Sequence, residues 1–120
     1  MRIWSIILTL VGGLMGATGT GLSAWASHRG GDQTLTIAAQ FLLFHATPVL
    51  MAGLLAGRFC LLAAATGLAA GACLFSGDLT LRVLAGHALF PMAAPSGGML
   101  LIGGWLALGI TGAFTLARRP

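Results

Sequence analysis

The chain has 120 residues, of which 58% are hydrophobic and 7% charged, against roughly 25% charged in an ordinary soluble domain. With only six basic and two acidic side chains, it cannot clothe a water-facing surface, which excludes a soluble globular domain and leaves lipid as the solvent for most of the exterior. The formal net charge of +4 comes from arginines placed singly, apart from Arg118-Arg119, with no basic stripe interleaved with aromatics, so the reading includes no nucleic acid partner.

Ile3–Ala26 is apolar and uncharged, long enough for a hydrocarbon core of about 30 Å, which takes about 20 helical residues. Arg2, this run and Ala24-Trp25-Ala26 resemble a signal peptide with its cleavage site. The run is rich in Gly and exceeds the usual apolar stretch of about 7–15 residues, so it reads as a retained first span. His28-Arg29-Gly30-Gly31-Asp32 supplies the turn formers and charges of a short loop. Leu35–Gly57 is the second span, with Gln40, His45, Thr47 and Pro48 as its only departures from grease, and Arg58 ends it.

The third span is expected over 59–85. It is apolar through Phe75 and carries Ser76, Asp78 and Arg82 towards its outer end. Gly86–Ser96, with His87, Pro91 and Pro95, reads as a loop whose Leu89, Phe90 and Met92 dip into the interface. Gly97–Ala117 is the fourth span, closed by Arg118-Arg119-Pro120. The pattern predicts an all-α integral membrane four-helix bundle with up-down topology and one membrane domain over 1–120. Both termini then share a side with Arg2, Arg58, Arg118 and Arg119, opposite Arg29 and Arg82, and the positive-inside rule places them in the cytoplasm.

Nineteen glycines are roughly twice the usual share of about 7%, and most lie inside the spans. In lipid, small residues let helix backbones approach, and packing replaces the missing hydrophobic drive. Gly12/Gly16, Gly53/Gly57 and Gly67/Gly71 are small-xxx-small pairs, each on one helix face. Together with Gly97 and Gly98 they are the expected packing positions, for seams inside the bundle or between copies. Gly16, Gly19 and Gly21 have the wrong spacing for a dinucleotide fingerprint and follow no strand, so no cofactor is implied. Cys60 and Cys73 stand about 20 Å apart on one helix, beyond disulfide reach, and read as small packing residues.

The candidate functional residues are the polar ones at membrane depth. His45 lies near the midplane, about 15 Å inside its span, where a polar side chain must find a partner. Pro48 cannot donate to the Phe44 carbonyl, which loosens the helix beside it. The simplest reading is a neutral imidazole bonded to a neighbouring helix, at Thr18 or Thr66; a proton relay or metal ligand is the sharper one. His28, Asp78, Arg82 and His87 gather near the outer interface. Asp78 and Arg82 form an i,i+4 pair with the acid N-terminal, the favourable order. Two His and one Asp suit a divalent metal chemically, but nothing in the spacing fixes ligand geometry, and no metal site is assigned. Ser76 and the other hydroxyls sit in no nucleophile motif, and the two acids form no catalytic pair, so no enzyme is expected.

Four stretches, taken in order, resemble a known family. They are Ser23-Ala24-Trp25-Ala26-Ser27-His28, the Gln40–Ala46 element reading Gln-Phe-Leu-Leu-Phe-His-Ala, Phe75-Ser76-Gly77, and Ala94-Pro95-Ser96-Gly97-Gly98 through Gly104-Trp105. The chain resembles the YgdD-like family of small multi-pass bacterial membrane proteins of unknown function, which has a mitochondrial transmembrane relative. The resemblance implies four helices and a cell inner-membrane location, directs attention to His28, His45, Ser76 and Gly77, and brings no known reaction. The chain departs from the family pattern at Asp78 and Arg82, where less charged residues are expected. The functional reading is a non-catalytic structural or accessory membrane component, in contact with membrane lipid and able to form a homo-oligomer or join a larger complex. The alternative is an oligomeric transporter or channel for a small solute, proton or ion that uses His45.

Overall fold

The computed structural model describes residues 1–55 and 57–120. Its helices are α1 (Arg2–His28), α2 (Gln33–Leu54), α3 (Phe59–Ala85) and α4 (Ala93–Ala117). All four are long and apolar enough to cross a membrane. The 27 residues of α1 and of α3 extend about 40 Å, the thickness of the hydrocarbon core plus its interfaces.

The turns follow from local chemistry. Gly31 and Asp32 donate to the Ala26 carbonyl at 3.0 and 3.2 Å. That closure sets Gly30 and Gly31 at φ 75° and 76°, which glycine adopts without a Cβ penalty. Asp32 then caps α2, its Oδ1 accepting from the Leu35 N–H at 3.0 Å, so one of the unpaired first-turn donors is satisfied. The second span, expected to run to Gly57, ends at Leu54, and Ala56 lies outside the described residues. Gly86, at φ 77°, terminates α3.

The fourth span starts at Ala93 rather than Gly97. Pro95 therefore lies inside the first turn of α4, where no helical N–H bond is lost by its presence. Residues 93–96 of the stretch expected as a loop are therefore helix, while 86–92 form the turn.

Successive helices pack side by side, α1 on α2, α2 on α3 and α3 on α4, in up-down order. α1 also touches α3, whereas among the described residues the backbones of α1 and α2 do not approach α4. The core includes Leu8, Met15, Leu42, Val49, Leu62 and Leu68, supplied by α1, α2 and α3. α4 buries only Ala93, Gly97, Leu101 and Gly104. Its Met99, Ile102, Leu106 and Ile110 stand exposed, as do Ile3, Ile6, Leu10 and Leu14 of α1; these are the surfaces that lipid covers.

Glycine sets the helix spacing. A Cβ on Gly12 would lie 2.6 Å from the Leu50 nitrogen, and one on Gly53 2.7 Å from the Thr9 nitrogen. On the other pair, Gly71 would meet the Gly97 oxygen at 2.8 Å, and Gly97 the Phe75 nitrogen at 2.8 Å. These are backbone atoms, so α1 rests on α2 and α3 on α4 with no side chain between them. Gly19 and Gly104 make equally close approaches, to Leu43 and Leu68, although neither was among the expected positions.

Within one chain, only part of the expected set packs closely. Gly16 and Gly67 have only ordinary contacts at 3.8 and 3.9 Å, and nothing lies within 4 Å of a Cβ at Gly57 or Gly98. Gly57 falls beyond the end of α2, and Gly98 points away from α3. The working repeat is seven residues rather than four. Ser5, Gly12, Gly19 and Ala26 are all buried on α1, and Gly97 and Gly104 repeat the interval on α4. A heptad keeps one small-residue seam facing its partner and implies left-handed crossing.

Candidate functional site

At mid-depth, α2 presents His45 to the interior, where it is buried. Trp105 of α4 donates its indole N–H to His45 Nε2 at 3.0 Å. An indole nitrogen only donates, so Nε2 is the acceptor and the ring proton resides on Nδ1. Nδ1 lies 2.5 Å from the Phe41 carbonyl oxygen one turn back and donates to it. Both ring nitrogens are thereby engaged, in one neutral tautomer. Phe41 and Phe75 pack beside them with ring centroids 4.4 Å apart and planes tilted by 35°, and the imidazole ring centroid sits 5.7 Å from those of Phe41 and Trp105.

The expected partner of His45 was Thr18 or Thr66; the structure assigns Trp105 instead. Thr66 serves a second indole: Trp4 of α1 donates to its Oγ1 at 2.8 Å, and the hydroxyl in turn donates a hydrogen bond to the Leu62 carbonyl at 2.7 Å. The two tryptophans thus tie α1 to α3 and α2 to α4, the diagonal pairs that backbone packing leaves loosely joined or apart. Sequence reasoning placed His45 and Thr66 at depth but overlooked Trp4 and Trp105 as donors. The available signal was that Trp105 lies at the same depth as His45, since α2 and α4 run parallel in an up-down bundle and each residue is the thirteenth of its helix.

Nearer the Ala85 end of α3, Ser76 is buried and donates to the Ala38 carbonyl of α2 at 2.7 Å. Asp78 is fully buried. Its Oδ2 accepts from Arg82 Nε at 2.9 Å, and its Oδ1 accepts from the Leu89 N–H, in the α3–α4 connection, at 2.8 Å. The pair is therefore more than an interfacial ion pair: the carboxylate anchors the turn into α4. Leu89 was read only as an interfacial residue, because a main-chain donor leaves no trace in side-chain chemistry.

The remaining members of the outer group are not brought in. His28 is exposed, and His87, also exposed, bonds only the neighbouring Ala88 carbonyl. Among the described residues no group of three or more His, Cys, Asp or Glu side chains could hold a metal ion. Every buried side-chain nitrogen and oxygen among them has a partner. Cys60 and Cys73 are free thiols.

Fold and site together define a multi-pass α-helical membrane protein whose buried polar groups join helix to helix. The chain belongs to the family described as "Protein of unknown function (DUF423)", whose match covers residues 15–98. That interval holds His45, Ser76, Asp78, Arg82 and the α3–α4 turn. No curated protein and no solved structure matches the chain.

Proposed function

We propose that the protein is a non-catalytic structural or accessory component of the cell inner (plasma) membrane. Both ends of the chain lie in the cytoplasm, and the partner is a second copy or a larger membrane complex. The observation that carries this reading is the use made of His45. A group that relays protons or guides an ion must exchange partners along a wetted path, whereas both nitrogens of this ring are committed to protein, one of them to another helix. Ser76 and Asp78 are committed in the same way. The orientation is supported by the arginines, with Arg2, Arg58, Arg118 and Arg119 at the end that holds both termini.

The test is solute and proton flux in proteoliposomes of wild type and His45→Ala, beside a mild-detergent pull-down. Background flux from both, with a stoichiometric self- or partner complex in the pull-down, is the expected result. Flux by the wild type that His45→Ala abolishes would replace this reading with that of an oligomeric transporter.

A further inference from the structure

The outward side of the α3–α4 pair carries a groove of about 900 Å³, walled by small and apolar residues that include Ala63, Gly67, Met99, Gly103 and Ala107. At the Arg58 end it meets a second cleft of about 490 Å³, and Phe59, Cys60, Ile110 and Thr111 line both. The second cleft adds Arg58, Thr115 and Arg118. The combined channel is apolar along its length and carries two cations at one end.

Arg58 is held in place there. Its Nη1 donates to Thr115 Oγ1 of α4 at 3.0 Å, which leaves the other donors of the guanidinium fork for a ligand. The first turn of α3 opens on the same cleft, and its N-cap Arg58 makes no side-chain capping bond, so the partial positive charge of that helix end adds to the two arginines. From Thr111 to Met99 the apolar part runs roughly 18 Å along α4, towards the membrane interior.

We propose that this channel binds one anionic phospholipid, its phosphate held between Arg58 and Arg118 and an acyl chain laid along the α3–α4 groove. Charge complementarity selects this occupant. The polarity runs in the order a phospholipid presents: an anion at the ends of the helices, then hydrocarbon. Guanidinium groups pair with phosphate oxygens in bidentate geometry, and basic pockets between transmembrane helices on the cytoplasmic side suit anionic headgroups. A zwitterionic choline lipid offers the same phosphate but brings a cation that two arginines repel. The inference rests on the membrane-embedded fold and not on the accessory role, since a transporter could hold the same lipid.

Native mass spectrometry of the intact protein in mild detergent tests it, with phosphatidylglycerol, phosphatidylcholine and inorganic phosphate as probes. One phosphatidylglycerol should be retained about tenfold better than phosphatidylcholine, and millimolar phosphate should not displace it. Arg58→Gln combined with Arg118→Gln should reduce phosphatidylglycerol retention to the phosphatidylcholine level, while Arg2→Gln, at the same membrane face but outside the channel, should leave it unchanged. Gly103→Leu fills the groove from a position where a Cβ meets nothing within 4 Å, so it should weaken lipid retention without disturbing the fold. Equal retention of the two lipids, or equal loss in Arg2→Gln, would overturn the headgroup site. Displacement by phosphate, or full retention in Gly103→Leu, would overturn the acyl-chain groove.

Discussion

Replacing Trp105 by Phe would keep most of the ring volume and remove one N–H. His45 Nε2 would then be a buried acceptor with nothing to accept from, and the penalty falls on the partner left behind. A stranded buried polar group costs about 1–3 kcal/mol, while removing both partners together costs far less. Bonds between membrane helices measure less, about 0.6 and up to about 1.7 kcal/mol, because the lipid-embedded unfolded chain also finds partners. Trp105→Phe is therefore expected to destabilise by about 1 kcal/mol in denaturant titration in detergent. His45→Phe in the Trp105→Phe background should cost less than His45→Phe alone, and strict additivity would show that the bond contributes nothing. Asp78 follows the same rule with a charge. Asp78→Ala strands the Leu89 N–H, while Arg82, 48% exposed, can turn to water; the loss is about 1.5–3 kcal/mol for the charge-assisted bonds. Arg82→Gln leaves Oδ2 of a fully buried carboxylate without its cation and should cost about 1–3 kcal/mol, but it keeps the Leu89 N–H on Oδ1. Faster exchange of the Leu89 amide in Asp78→Ala than in Arg82→Gln is the check.

At the scale of the helices, adjacent glycines provide matched controls. A methyl on Gly97 would press on the Phe75 backbone nitrogen at 2.8 Å, whereas one on Gly98 would meet nothing within 4 Å. Gly97→Ala must push α3 and α4 apart and should cost about 1–3 kcal/mol, the range for overpacking. Gly98→Ala should be neutral, or stabilising by up to about 1 kcal/mol through helix propensity. Gly12→Ala and Gly13→Ala should divide the same way on α1. Thermal unfolding of the four variants in one detergent reads the difference, and equal melting points within each pair would refute the seam assignment. The four spans themselves were legible in the sequence, because length and apolarity suffice to mark a membrane helix. Which face of a span meets its neighbour was less so. A spacing of four picked out Gly16 and Gly67 beside their closer-packed neighbours, while the heptad of Ser5, Gly12, Gly19 and Ala26 carried the register. Pro91 and Pro95 made Ala93–Ser96 resemble a loop, since proline gives the same signal in a turn and in a first helical turn. Depth follows from counting residues, so His45 was placed correctly; azimuth does not, so its partner on α4 was missed.

For the whole molecule, the packing order implies two hairpins joined along one line. α1 and α2 share the Gly12, Gly19 and Gly53 approaches, α3 and α4 share those at Gly71, Gly97 and Gly104, and α2 with α3 forms the middle. α4 is held by α3, by the His45–Trp105 bond and by the turn that Asp78 fixes, with no backbone approach to α1 or α2 among the described residues. An element held by fewer contacts opens at lower free energy than the global transition. Native-state hydrogen exchange in detergent should accordingly show α4 amides less protected than those of α2. The two seams should also respond separately. Gly97→Ala should speed exchange in α4 and leave α1 unchanged, and Gly12→Ala should loosen α1 against α2 while α4 keeps its wild-type rate. If either substitution accelerated all four helices equally, the bundle would open as one cooperative unit, and the two indole bonds across its diagonals would be strong enough to fuse the hairpins.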